Sequence, residues 1–275
     1  MSTSNKSSKA NVLGVEIDAF NLEQVLARIA HALEVRRKGY VCLVGVHGVM
    51  ECQRDPAVAK AIANAELTVP DGMPTVWMGR HQGHTDMQRI AGPDLMLEVL
   101  SRDEFRGRTH FLFGGKEGIA AELRDKLMLR YPELKIAGTY TPPFGPMSPE
   151  QDEEFRTMIK RTQPDIIWVG ISTPRQEFFM AQYLPLLDTT LMFGVGAAFD
   201  FHTGRITDCA DWIKRAGLQW LHRLLQDPKH LWKRYMRNNP LFLFYAFLQL
   251  TGLKSYTPQQ RIQPHTVQPQ VFSEP

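Results

Sequence analysis

The feature that most constrains this chain is a repeated switch of hydrophobic period. Apolar or β-branched runs, "YVCLVGV" (40–46), "LTVPD" (67–71), "THFLFGG" (109–115), "LKIAGTY" (134–140), "DIIWVGIS" (165–172) and "TTLMFGVG" (189–196), alternate with longer amphipathic segments. The runs are apolar nearly throughout, so each reads as a strand buried on both faces. The segments between them read as helices. "HGVMECQRD" and "PAVAKAIANA" are short, another helix starts from about Pro74, and "KEGIAAELRDKLMLRYP" carries apolar Ile119, Leu123, Leu127 and Leu129. "SPEQDEEFRTMIKRTQP" opens on Ser148, then proline and acids, the pattern of a capped helix start; "PRQEFFMAQYLPLL" is a further helix. Strand and helix alternating in this way predict an α/β fold, a Rossmann-like parallel sheet flanked by helices.

Past about residue 205 the alternation stops. "DWIKRAGLQWLHRLL", "PKHLWKRYMRN" and "PLFLFYAFLQL" read as three helices with no strand between them. The organisation expected is an α/β body over 11–205 and a helical appendage over 206–253. Residues 1–10 and 254–275, polar or Gln/Pro-rich, are expected as disordered tails. The appendage is locally basic. From Lys214 to Arg237, the basic residues Lys214, Arg215, Arg223, Lys229, Lys233, Arg234 and Arg237, with His222 and His230, stand against a single acid, Asp227. The net charge of the whole chain is only +3, which argues against a nucleic-acid binder and for a local anionic partner. The run from Pro240 to Leu253 is too short to span a bilayer as a helix. The first residues, "MSTSNKSSKANVLG", lack the apolar segment of a secretory signal. The three cysteines, Cys42, Cys52 and Cys209, are widely spaced with no CxxC, so no disulfide framework or zinc site is expected and a reducing cytoplasm is the default.

Open parallel sheets bind ligands beyond the carboxyl ends of their strands, near helix N-termini. The residues expected on that rim are Gly45 to His47, Asp71 and Gly72, Gly114 and Gly115, Ser172 to Glu177, and Gly194 to Asp200. Asp71, in "VPDGMPTVW", is open to three readings at this point: a helix cap, a hydroxyl ligand or a proton acceptor. "FLFGGKEG" is a glycine turn suited to a phosphate, yet it is neither GxGxxG nor a Walker motif, and a strand-to-helix turn needs glycine anyway. In "STPRQE", capping accounts for Ser172, Thr173 and Glu177, while Arg175 and Gln176 also suit a sugar or a phosphate. Asp200 in "GVGAAFDF" either caps or binds hydroxyls. Proline and acid at a helix start explain Pro93 and Asp94 but not Arg89. Metal ligands are scarce: there is no DxD at a strand end, no HExxH, and His81 and His84 alone make a poor site. GxSxG is absent as well.

In order, "YVCLVGVHGVMECQRDP", "PDGMPTVW", "RIAGPDL", "FLFGG", "RYPELKIAGTY", "PDIIWVGISTPRQE", "GVGAAFDFHTG" and "GLQWLHRLLQDPKHLWKRY" resemble the WecG/TagA/CpsF bacterial glycosyltransferases (glycosyltransferase family 26), from about residue 12 to 250. The resemblance implies an inverting, metal-independent transferase with no cofactor. It would move an N-acetylmannosamine-type sugar from a UDP donor to a polyprenyl-diphosphate-linked saccharide in cell-envelope or exopolysaccharide synthesis. It implies Asp71 as catalytic base, and Arg89 and Gln176 as substrate ligands, with Arg175 standing where the family has lysine. The rim positions Gly72, His47, Gly114, Gly115, Gly196 and Asp200 are the other expected substrate contacts.

Where many members carry Thr-x-Asn this chain has Leu43, Val44 and Gly45. Where many carry Arg-Ala-Pro it has Asp208, Cys209 and Ala210, and a usual glutamate is Gln219. Positive charge for the leaving diphosphate and for the membrane is therefore expected from Arg215, Arg223, Lys233 and Arg234. Basic side chains beside Trp220, Trp232, Tyr235 and the apolar run suit an interfacial helix, hence a cytoplasmic protein peripheral on the inner membrane face. Packing of those helices on the body, or on a second copy in a homo-oligomer, is the competing expectation. The functional alternative is a catalytically altered nucleotide-sugar-binding partner in a polysaccharide assembly complex. A dinucleotide oxidoreductase is disfavoured, because the glycine fingerprint is missing.

Overall fold

The computed structural model describes residues 9–259. The chain opens with a hairpin of β1 (Lys9–Val12) and β2 (Val15–Asp18), followed by α1 (Leu22–Glu34). Neither was among the expected elements, although Asn21 and Gln24 form a capping box at the start of α1. Then come β3 (Gly39–Val44), α2 (Val46–Arg54), α3 (Pro56–Ala63), β4 (Leu67–Pro70), α4 (Met73–His81) and α5 (Gly92–Ser101). The second half of the body holds β5 (Thr109–Gly114), α6 (Ile119–Arg130), β6 (Lys135–Tyr140), α7 (Pro149–Thr162), β7 (Ile166–Gly170), α8 (Arg175–Tyr183), β8 (Leu191–Gly194) and α9 (Ala198–His202). Among the described residues, three helices follow: α10 (Asp211–Arg215), α11 (Gln219–Gln226) and α12 (Pro228–Leu250).

All six expected strands form, and they pair in parallel in the order β4-β3-β8-β7-β5-β6. Side-chain alternation splits each strand between two cores. Tyr40, Cys42, Val44, Phe111, Phe113, Ile167, Val169 and Met192 face one, packed with the hairpin, α2, α3, α7, α8 and α12. Val41, Leu43, Leu112, Trp168, Leu191 and Phe193 face the other, under α1, α5, α6 and α9. This two-sided burial is why the strands read as unbroken apolar runs. At the crowded centre of the sheet Gly114 lies against Gly170. It adopts φ +136, and a Cβ there would stand 2.5 Å from the Gly170 carbonyl oxygen.

The appendage differs in two respects from its expected form. The first expected helix is broken at Gly217 (φ +71) into α10 and α11. The last two expected helices are one, α12, which continues through Pro240. Asn238, Phe242 and Ala246 are buried on either side of that proline, and α12 packs along α2. Tertiary packing thus offsets the missing N–H. The opposite side of α12, with Leu243, Phe244 and Phe247, is exposed. Among the described residues no helix is long and apolar enough to cross a membrane.

β1 begins inside the segment expected as a tail, and Ala10 is fully buried. Beyond α12 the chain returns to the hairpin, where the Asn11 amide donates to the Tyr256 carbonyl (2.7 Å) and the Gln259 N–H to Gly14 (3.1 Å). The rest of both expected tails lies outside the described residues.

Candidate active site

The ends of β3, β4, β7 and β8 meet the appendage around a cleft of about 490 Å³. This is where an open parallel sheet is expected to bind its ligand, at the point where the chain reverses its progress across the sheet. Sheet residues make the floor. Lys214, Trp220, Arg223, Arg234 and Tyr235 of the appendage make the facing wall.

Asp71 sits one residue beyond β4, its N–H donating to the Val44 carbonyl (3.2 Å) and so extending the ladder. The cap of α4 is Gly72, with no side-chain hydrogen bond, so Asp71 does not serve as a helix cap. Gly45 at the end of β3 leaves the space beside the carboxylate open: a Cβ there would be 3.5 Å from Asp71 Oδ2. The carboxyl accepts from the Gly92 N–H. Burial raises its pKa above the ordinary value and Asp94 adds to this, while Arg89, the Gly92 bond and Arg223 oppose it. A carboxylate partly stripped of water is a stronger proton acceptor than an exposed one.

Arg89 reaches the same cleft because the Ile90 N–H pairs with the Pro70 carbonyl (2.8 Å), drawing the loop along β4. Its guanidinium donates to Gln219 Oε1 (2.7 Å) and to Asp94 (3.3 Å), so it joins α5 to α11. The neutral Gln219 leaves more of the Arg89 charge available than a glutamate would.

Gln176 is buried at the base of the cleft, and its amide is already engaged by the protein. Nε2 donates to the Gly194 carbonyl (3.1 Å) and to Glu177 (3.0 Å), while Oε1 accepts from the Gly196 N–H (3.0 Å). It shapes the β8–α9 turn while lining the cleft. Glu177 accepts from Gln176 and from Thr173 Oγ1 (2.9 Å) through one oxygen, and burial raises its pKa. His47 lines the cleft as well. Burial lowers its pKa to about 4, with Arg234 and Arg54 acting in the same sense and Glu51 against them, so the ring is neutral at neutral pH.

Of the residues expected to contact substrate, the fold brings Asp71, Gly72, Arg89, His47, Gln176 and Gly196 to one cleft, with Arg223 and Arg234 opposite. It does not bring Gly114, Gly115, Asp200, Arg175, Arg215 or Lys233 there. Gly114 is explained by its contact with β7, and a Cβ on Gly115 would meet Ile119 at 2.9 Å. Arg175 is exposed, donating to the Pro143 carbonyl (3.4 Å) and lying over the Phe144 ring. Asp200 turns the chain instead, its carbonyl accepting from Arg205 and Ile206 N–H groups, while Phe201 beside it lines the cleft and stacks with Arg223. Arg215 and Lys233 are exposed.

Lys214, Trp77 and Asn238 also line the cleft. Trp77 lies in the same segment as Asp71, and Lys214 in the basic stretch, but neither position carries a local signal that it faces the sheet. Lys214 is ion-paired with Asp208, and the buried Arg234 Nε has no hydrogen-bond partner. Among the described residues no three His, Cys, Asp or Glu side chains come together as metal ligands.

A sequence model of the Glycosyl transferase WecG/TagA/CpsF family matches residues 10–256. A Bacillus subtilis (strain 168) protein is 29% identical over 199 residues, 72% of this chain and 75% of that protein. A Bacillus spizizenii (strain ATCC 23059 / NRRL B-14472 / W23) protein is 27% identical over 186 residues, 68% and 70% of the two chains. Both relatives are named N-acetylglucosaminyldiphosphoundecaprenol N-acetyl-beta-D-mannosaminyltransferase. The chain belongs to this glycosyl transferase family.

Proposed function

We propose that this family member transfers an N-acetylmannosamine-type or related sugar from a UDP donor to a lipid-diphosphate-linked saccharide, with inversion and without a metal ion. The observation that carries the reading is the pairing, across one cleft, of a half-buried carboxylate with the cations of the appendage. Asp71 takes the proton of the acceptor hydroxyl as its oxygen bonds to the anomeric carbon. The bond from that carbon to the donor phosphate breaks on the opposite face, and UDP leaves with the electron pair. Arg223, Arg234 and Lys214 receive the charge that develops on the diphosphate, and the unpartnered Arg234 Nε supports this role. Arg89 holds an anionic or hydroxyl-rich part of the substrate beside the base, and His47, Gly72 and Gly196 complete the sugar pocket.

The names of the two relatives support a lipid-linked acceptor. A lipid substrate in turn supports docking of the exposed apolar side of α12 on the inner face of the cytoplasmic membrane, with Lys229, Lys233 and Arg237 towards anionic headgroups. The test is UDP release from a panel of UDP-sugars with a lipid-diphosphate-linked sugar as acceptor, EDTA present, comparing the wild type with Asp71→Asn. The expected result is turnover that survives EDTA and falls about 10²–10⁴-fold in the variant. Equal rates in the two proteins overturn the role of Asp71. Binding of a UDP-sugar by both, with turnover by neither, replaces the transferase with a nucleotide-sugar-binding partner.

A further inference from the structure

A line of polar side chains joins α12 to the rim of the cleft. Arg54, at the end of α2, donates to Asn238 Oδ1 and thereby fixes which way the Asn238 amide faces. The amide nitrogen donates to His47 Nδ1 at 2.9 Å. With Nδ1 an acceptor, the ring proton is on Nε2, and the Thr173 carbonyl accepts from the ring. The line continues from Thr173 Oγ1 to Glu177, from Glu177 to Gln176, and from Gln176 to Gly194 and Gly196. Asn238 is only 2% exposed, and the other buried side chains of α12 are Leu231, Phe242 and Ala246. A buried amide is tolerated among these apolar side chains because both of its ends are satisfied.

We propose that Asn238 is a positioning residue, fixing the Nε2-protonated tautomer of His47 and, through Thr173, setting the Gln176-held rim of the cleft. Seating of α12 and the shape of the sugar pocket are then one coupled arrangement. The charged groups around His47 are Arg234 from α12 and Glu51 and Arg54 from α2, and none of them takes over the Asn238 bond. Glu51 lies 3.5 Å from Nδ1 and is already paired with Arg54 at 2.7 Å. The kinetic part of this proposal rests on the transferase reading; the structural part does not.

The experiment uses the full chain with ¹⁵N-labelled histidine and backbone, comparing wild type with Asn238→Asp, which keeps the size and the Arg54 bond but removes the donor. In the wild type His47 is expected to stay neutral with a bare Nδ1 across about pH 5–8. In Asn238→Asp the ring takes a proton on Nδ1 in the neutral range, the Thr173, Gly194 and Gly196 amide shifts move, and kcat falls about tenfold or more. A loss of Tm with the His47 tautomer, the rim shifts and the kcat to KM split all unchanged reduces Asn238 to a packing residue and overturns the proposal. If the wild type shows no turnover, the ring and rim signals still decide the coupling, and the silent assay counts against the transferase reading alone.

Discussion

Asp71 shows how far a single residue depends on neighbours distant in sequence. Folding raises its pKa, so the folded state favours its protonated form more than the unfolded chain does. That contribution to stability is complete below the unfolded value of 3.8 and is lost as pH rises through the raised one. At neutral pH the ionised carboxylate therefore costs stability. Asp71→Asn is expected to raise Tm at neutral pH by about 2–4 °C, the size of a 1 kcal/mol effect in a chain of this length, with no gain near pH 3. Thermal unfolding at the two pH values checks this, and a lower Tm at neutral pH counts against a strained carboxylate. The sequence marked Asp71 correctly as a residue at a strand end. It left open whether the acid caps a helix, because the answer lies in backbone geometry at Gly72. Arg89 was singled out, but its partner Gln219 is 130 residues away. Likewise, nothing in "STPRQE" reveals Gly194 and Gly196 as partners of the Gln176 amide.

At the scale of elements, the sheet was legible and the hairpin was not. Strands buried on both faces announce themselves as apolar runs, whereas β1 and β2 have four residues each and join through Leu13 and Gly14. Both turn residues have positive φ, at 52° and 83°. Leucine there is an unusual choice, against the Asn-Gly or Asp-Gly that signals such a turn. The helix α12 misled for the opposite reason. Its proline reads as a boundary, yet burial of Asn238 and Phe242 on either side holds one helix together. Pro240 still leaves the carbonyl of Met236 without its helical N–H. Pro240→Ala is expected to stabilise the protein by up to about 3 kcal/mol, read from denaturant unfolding. An unchanged or lower stability would show that proline at 240 is needed where α12 packs on α2.

Over the whole molecule, buried histidines set the response to acid. His110 lies within the second core layer, where its Nδ1 accepts from Trp168 Nε1 at 3.2 Å, and burial lowers its pKa from 6.5 to about 4. The unfolded chain takes up that proton first, so the contribution is full above about 6.5 and is lost as pH falls towards 4. It amounts to about 3 kcal/mol, and His47 acts in the same direction. Asp18, Asp71 and Glu177, with raised pKa values, act in the opposite one. His110→Asn, which keeps an acceptor for Trp168, is expected to flatten the fall of unfolding free energy between about pH 6.5 and 4. An unaltered slope would place the acid sensitivity elsewhere. A last consequence follows from the hairpin. Gln249 bridges the Leu13 N–H and the Asn11 carbonyl, and Gln259 reaches Gly14. Topologically the described chain is almost a ring, fastened where residues 9–14 meet residues 249–259. The place at which such a ring is cut should matter little to its architecture. Joining residue 259 to residue 9 with a short linker and opening the chain at the exposed Gly107 should give a circular permutant with the same sheet and the same cleft.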